Sequence, residues 1–215
     1  MPTFEHEERL LAGACKTQRP VPLIFGADEA GRGPWCGPVV AACVCWPGLE
    51  IPPDLAARID DSKKLSAARR EKLLPEIMRH AIVGIGEASA REIDDINILQ
   101  ASFLAMRRAL DDVRRQGHAP DFVLIDGNRT PKDWDIPCAP LVGGDAKSLS
   151  VAAASIVAKV TRDRIMAGLA RQFPQYGWDR NAGYGTAEHC AALRACGITP
   201  HHRESYAPIK KLRGG

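Results

Sequence analysis

The chain alternates between short apolar runs that stop abruptly and longer segments in which apolar residues recur every three or four positions. Val21-Pro22-Leu23-Ile24-Phe25 predicts a first strand over about 22–28 that stops at the adjacent carboxylates Asp28 and Glu29. Gly31-Arg32-Gly33-Pro34 follows, and its proline forbids further strand pairing. Val39 to Trp46 is almost wholly apolar, which predicts a second strand buried on both faces and central in its sheet. Ser66 is a natural N-cap for a helix over about 67–79. Residues 81–88 read as a third strand, in which Gly84 and Gly86 imply close packing or a bulge. From Asp95 to Gln116, Ile96, Leu99, Phe103, Met106, Leu110 and Val113 fall at alternating steps of three and four, the pattern of an amphipathic helix. Arg107, Arg108, Arg114 and Arg115 lie on its solvated face, and Gly117 is its natural stop. Further strands are predicted over about 121–128 and 136–142, a long helix over 149–172 with small residues in its first half, and a short helix over 187–196. A basic tail from His201 to Arg213 is expected to be a solvated end or a recruiting segment.

Composition narrows the class. At 215 residues and 45% hydrophobic, the chain can bury one substantial core with a small subdomain beside it. A net charge of +3 permits a polyanionic partner without demanding one. Seven cysteines (15, 36, 43, 45, 138, 190 and 196) form no CxxC pair and sit mostly among small or apolar residues, which favours reduced, buried thiols over a disulfide framework or a zinc site. Met1 to Pro20 is charged and lacks the apolar core of a signal peptide, and no run approaches the roughly 18 apolar residues of a membrane span. A soluble, cytoplasmic protein without a membrane partner is expected.

The candidate chemistry lies in the repetition of one arrangement. Asp28/Glu29, Asp126 and Asp145 each follow an apolar strand and adjoin glycine. Any one of them alone reads as a turn or cap residue; three strand ends together read as a cluster. Four carboxylates on one sheet edge need compensating cations, and their natural occupants are Mg²⁺ or Mn²⁺, which suit phosphate chemistry. Two such ions about 4 Å apart can activate a water and stabilise a leaving oxygen. Successive strand residues point to opposite faces, so Asp28 and Glu29 share a site only if the chain bends near them, and Gly31 and Gly33 permit that bend. Lys63, Lys64 and Lys147 are placed to contact phosphates.

Eight blocks, in order, resemble bacterial ribonuclease HII. They are Asp28 to Pro34 with Gly37 to Ala42, Asp61 to Ser66, Ile125 to Asn128, Gly144 to Ser148, Ala152 to Ile156, Ala158 to Asp163, Gly183 to Thr186, and His202 to Ser205. The resemblance spans about residues 22–209. It implies an α/β, ribonuclease H-like fold: a mixed five-stranded sheet, its first three strands antiparallel, flanked by helices. The expected division is a catalytic domain over 21–172 and a C-terminal helical extension and basic tail over 173–215, with residues 1–20, of mixed charge, read from their own composition as a peripheral N-terminal arm. The implied activity is hydrolysis of RNA in RNA–DNA hybrids and incision 5′ of single ribonucleotides in duplex DNA, leaving 3′-hydroxyl and 5′-phosphate ends, with two Mg²⁺ or Mn²⁺ ions and a monomeric enzyme.

Residue by residue, Asp28, Glu29, Asp126 and Asp145 match the metal-binding and catalytic acids. Gly31-Arg32-Gly33 matches the loop whose backbone reads the ribose 2′-hydroxyl, and Tyr184 the tyrosine that stacks on the sugar after the scissile junction. Asp163 is assigned a structural role, pairing with a neighbouring arginine. Two departures stand out: Trp35-Cys36 replaces a smaller or aliphatic pair, and Gly144 replaces a lysine. Neither is expected to touch an acid. Two rivals remain at this stage, another ribonuclease H-like nuclease or strand-transfer enzyme, and a silent hybrid-binding protein.

Overall fold

The computed structural model describes residues 1–14 and 21–213, with the backbone alone at 14 and 213; Cys15 and the rest of 15–20 lie outside the described residues. Five strands form one sheet in the order β3-β2-β1-β4-β5. They are β1 (Ile24–Ala30), β2 (Val39–Cys45), β3 (Ile82–Ala88), β4 (Phe122–Asp126) and β5 (Cys138–Leu141). The first three are antiparallel neighbours, while β4 runs parallel to β1 and β5 parallel to β4. The wholly buried β2 is an interior strand, as its unbroken apolarity predicts, and the central position belongs to β1.

Helix α1 (Glu5–Arg9) opens the chain; α2 (Pro53–Ala56) and α3 (Ala67–His80) lie between β2 and β3, and α4 (Ala90–Arg115) follows β3. The long α5 (Leu149–Gln172) comes after β5, then α6 (Trp178–Asn181), α7 (Ala187–Cys196) and α8 (Ala207–Arg213). Among the described residues no helix is long and apolar enough to cross a membrane.

One face of the sheet buries Phe25, Ala27, Ala41 and Cys43 against Met106, Leu110 and Val113 of α4. The other buries Ala42 and Val44 against α3 and the small residues Ala152–Ala154 of α5. Glycine makes both approaches possible. A Cβ at Gly86 would collide with the Ala105 carbonyl of α4, and one at Gly26 would collide with the α5 backbone at Ser150 and Val151. A third core, built from Cys36, Met166, Tyr176, Trp178, Leu193 and Ile209, joins the C-terminal segment to the far end of α5.

Several boundaries differ from the periodicity reading. Helix α4 begins at Ala90 with a capping box, Ser89 and Glu92 satisfying each other's backbone N–H groups. Asn97 then interrupts it at φ 68°, and the Asn97 side chain re-caps the N–H groups of Leu99 and Gln100. That break shifts the phase of the apolar stripe, so Ile93 is buried and Ile96 exposed. The basic tail is not a solvated end. His202 and Arg203 are buried, and 207–213 is helical.

The N-terminal arm is docked. Thr3 exchanges backbone hydrogen bonds with Lys147 and Leu149. The fully buried Glu7 accepts from the Ser148 hydroxyl (2.6 Å) and the Ser150 N–H (3.2 Å), supplying negative charge at the start of α5.

Candidate active site

The register of the two central parallel strands sets the site. Ala27 pairs with Ile125, so the next residues, Asp28 and Asp126, stand side by side where the ladder between β1 and β4 ends. Asp126 in turn pairs with Leu141 of β5, and its Oδ1 accepts a 2.7 Å hydrogen bond from the Gly144 N–H. That bond ties the end of β4 to the single turn Gly144–Ala146, which carries the buried Asp145. The departure at Gly144 therefore does touch an acid, through its backbone: a residue expected to be remote is a direct partner of Asp126.

Asp28 and Glu29 are consecutive within β1, which continues through both of them to Ala30. Their side chains leave on opposite faces, Asp28 toward Ser155 of α5 and Glu29 into a cleft shared with Asp126, Arg32 and the α4 residues Leu99 and Phe103. The two carboxylates straddle the edge of the sheet. The chain bends after them, at Gly31 (φ 100°).

Burial, then Glu29 and Asp126, push the Asp28 carboxyl well above its usual range; the Ser155 hydroxyl and the Glu29 N–H (2.7 Å) pull it back only in part. Ser155 is held by Ser62 at 2.7 Å. Burial also raises Glu29, against the opposing guanidinium of Arg32 at 3.1 Å. Asp145 is raised by burial and by Asp126 and Asp61, with Lys63 at 3.7 Å opposing. Burial pulls Lys63 down, but Asp145, Asp28 and Asp61 outweigh it and hold the ammonium above its ordinary value.

This edge is thus an all-oxygen donor set whose negative charge exceeds its local compensation. Such a set fits hard divalent cations, and Asp28, Glu29, Asp126 and Asp145 are the residues that could hold them. No three of these carboxylates bring oxygens within 4.8 Å of one another among the described residues, so the cluster is looser than a closed ligand cage.

Of the remaining expected residues, Arg32, Gly33 and Tyr184 are exposed, and Gly33 faces the Tyr184 ring: a Cβ there would lie 3.3 Å from Cε1. Only glycine fits at position 31, where the Arg162 guanidinium lies against the backbone. Lys63 reaches the acids. Lys64 instead pairs with Asp60 at 3.2 Å, and Lys147 donates to the Val142 carbonyl at 2.6 Å. Asp163 pairs with Lys159 (2.7 Å) and Arg70 (3.6 Å), the structural role expected of it.

Residues that periodicity does not reveal complete the setting: Ser62 and Ser155 beneath Asp28, and the buried Arg162 and Arg203 behind the glycine loop. Arg162 donates to the carbonyls of Pro38 (3.0 Å), Ala182 (3.1 Å) and Cys36 (3.2 Å), and burial lowers it to about 10. Their only sequence signal is membership of the ordered blocks around 62, 155, 162 and 203.

Cys36, His189 and His202 do bring three ligand atoms within 4.8 Å of one another. The ring nitrogens are already committed. His189 Nε2 accepts from Trp178 Nε1–H (3.2 Å), and its Nδ1–H donates to the Tyr184 carbonyl (3.0 Å). His202 Nδ1 accepts from the Thr199 N–H (2.9 Å), which leaves its Nε2–H to donate to His189 (3.1 Å). Burial, reinforced by His189, lowers His202 to about 4, and burial raises the Cys36 thiol to about 12. The two histidines form a neutral hydrogen-bonded brace behind Tyr184, with the Cys36 thiol packed beside them.

A family model described as Ribonuclease HII matches residues 25–209. A curated protein named Ribonuclease HII from Paramagnetospirillum magneticum is 57% identical over 190 residues, covering 87% of this chain and 91% of that protein. Another of the same name, from Magnetococcus marinus, is 51% identical over 212 residues, covering 98% and 95%. Among solved structures, the ribonuclease H2 of Pyrococcus horikoshii superposes with a TM-score of 0.73 at 26% identity, covering 90% of this chain and all of that one. The Archaeoglobus fulgidus PCNA:RNase HII complex contains a chain that superposes at 0.69 and 25% identity, covering 89% and 97%.

Proposed function

The chain belongs to the ribonuclease HII family, endoribonucleases acting on RNA–DNA hybrids, and we propose that Asp28, Glu29, Asp126 and Asp145 carry out that cleavage. The proposal extends to incision 5′ of a single ribonucleotide in duplex DNA, leaving 3′-hydroxyl and 5′-phosphate ends. The observation that carries it is the register of β1 and β4, which sets Asp28 beside Asp126, together with the Gly144 bond that draws in the turn of Asp145.

The four acids would hold two Mg²⁺ or Mn²⁺ ions, which would supply an activated water and neutralise charge on the departing oxygen. The protein's own groups do the rest. Ser155 and Ser62 hold the Asp28 carboxylate from below, and Lys63 offers positive charge where a phosphate approaches Asp145. Arg32 and Gly33 present backbone N–H groups toward the ribose, and Tyr184 stacks on the sugar that follows the junction. Exposure supports this reading, since a tyrosine that is 51% exposed between Gly183 and Gly185 is free to meet a ligand. Lys64 and Lys147, both exposed, contribute to phosphate attraction at longer range.

Incubation with a DNA duplex carrying one ribonucleotide, beside an all-DNA duplex, with Mg²⁺, Mn²⁺ or chelator, tests the proposal. Metal-dependent cutting only on the 5′ side of the ribonucleotide is expected. Cleavage of continuous hybrids alone would overturn the single-ribonucleotide part.

A further inference from the structure

Arg203 is fully buried, and its guanidinium faces the glycine loop. Among the described residues it makes six hydrogen bonds. Nη2 donates to the carbonyls of Gly31 (2.6 Å) and Gly37 (2.9 Å), and Nε to Gly37 (3.0 Å). Nη1 donates to the carbonyls of Arg32 (3.0 Å) and Pro34 (2.8 Å) and to the Tyr206 hydroxyl (3.0 Å). Tyr206 Oη–H in turn donates to the Arg32 carbonyl at 2.6 Å. None of these partners is a carboxylate. A buried cation hydrogen-bonded only to neutral groups is costly, and its fixed planar fork imposes direction on each oxygen it meets.

That direction has a consequence on the far side of each peptide. In a trans peptide the N–H points opposite to the carbonyl of the same unit. Turning the carbonyls of Gly31, Arg32 and Pro34 inward therefore turns the N–H groups of Arg32, Gly33 and Trp35 outward. The third is visibly so, because the Trp35 N–H crosses to the Gly183 carbonyl at 2.8 Å, beside Tyr184. The other two have no hydrogen-bond partner among the described residues and lie on exposed positions, Gly33 facing the Tyr184 ring. The segment carrying Arg203 is itself anchored on both sides, by Gly37 N–H to His201 O (2.9 Å) and Arg203 N–H to Trp35 O (2.8 Å).

We infer that Arg203, with Tyr206, is a positioning clamp that sets ribose selectivity by aiming the Arg32 and Gly33 N–H groups outward from behind. It rests on the reading that this loop meets the ribose 2′-hydroxyl. The clamp touches no substrate; it fixes the donors that do. Polarisation of the carbonyls by the buried charge also makes the outward N–H groups better donors.

Arg203→Lys keeps the charge and loses the fork. Folding is checked by melting temperature, and two readouts follow: kcat and KM on the single-ribonucleotide duplex, and, in an Asp126→Asn background, the ratio of Kd for all-DNA duplex to Kd for the ribonucleotide-containing duplex. The clamp predicts a rise in KM larger than the fall in kcat and a drop of about tenfold in the Kd ratio, equivalent to about 1.4 kcal/mol. A purely structural role would lower the active fraction and leave KM and the ratio at the wild-type values, which would overturn the clamp while leaving the loop reading intact. No ribose preference in Asp126→Asn alone would overturn both. Should Arg203→Lys not fold, Tyr206→Phe removes one hydroxyl: a two- to threefold drop in the ratio supports the clamp, and an unchanged ratio overturns it.

Discussion

Asp126 accepts a 2.7 Å hydrogen bond from the Gly144 N–H, so one acid at the end of β4 also holds the turn that presents another, Asp145. The two carboxylates are parts of one unit. Residues that act as a unit are strongly non-additive, so Asp126→Asn and Asp145→Asn should each reduce the single-turnover cleavage rate about as much as the pair together. Additive losses would show that the acids act independently.

Tyr184 is expected to matter for the junction more than for the chemistry. Tyr184→Ala should lower incision at a single embedded ribonucleotide by about tenfold, or about 1.4 kcal/mol, and lower cleavage of continuous hybrid less. Competition between the two substrates in one tube reads this directly; equal losses on both would assign Tyr184 to general binding.

The raised carboxyls predict a definite pH dependence of stability without metal. Asp28, Glu29 and Asp145 all have folded values above their usual range, so the folded protein holds more protons than the unfolded chain between the ordinary carboxylate range and those raised values. Stability therefore falls as pH rises through that window, and the cost is fully present above it. In chelator, the melting temperature should rise as pH is lowered through the raised values toward the ordinary carboxylate range, by roughly 2–4 °C for each 1 kcal/mol relieved. Added Mg²⁺ should raise it more at neutral pH than at acid pH. A chelator-treated protein whose melting temperature climbs with pH across that window would contradict the electrostatic account.

Much of this site is legible in the sequence because its acids follow apolar strand segments, although β1 runs on through Asp28 and Glu29 to Ala30. Asp28, Glu29 and Asp126 follow unbroken apolar runs, and Gly84 and Gly86 announce a close-packed helix. What is not legible depends on contacts far apart in the chain. Arg203 reads as part of a basic tail because nothing local indicates that carbonyls more than 160 residues away will enclose its guanidinium. The role of Gly144 is invisible because it is exercised by a backbone N–H. The start of α4 is lost to Asn97, whose left-handed backbone breaks the period, although the Ser89–Glu92 capping pair was there to be read.

Glu7 offers a test of the docked N-terminus. Glu7→Ala leaves the Ser148 hydroxyl and Ser150 N–H without their acceptor in a buried setting, a loss of about 1–3 kcal/mol. Denaturant unfolding should show a lower midpoint with an unchanged slope. A midpoint equal to the wild type would mean that the arm contributes no stability.

The most direct test of the central claim, that the sheet-edge acids perform the cleavage, is one variant measured in two ways. Asp126→Asn keeps the shape of the side chain and an oxygen to accept from Gly144. In Mg²⁺ it should bind an RNA–DNA hybrid with an affinity close to the wild type while its cleavage rate falls by roughly a thousandfold or more. Full cleavage by this variant would contradict the account, because the acid that links Asp28 to the turn of Asp145 would then be dispensable.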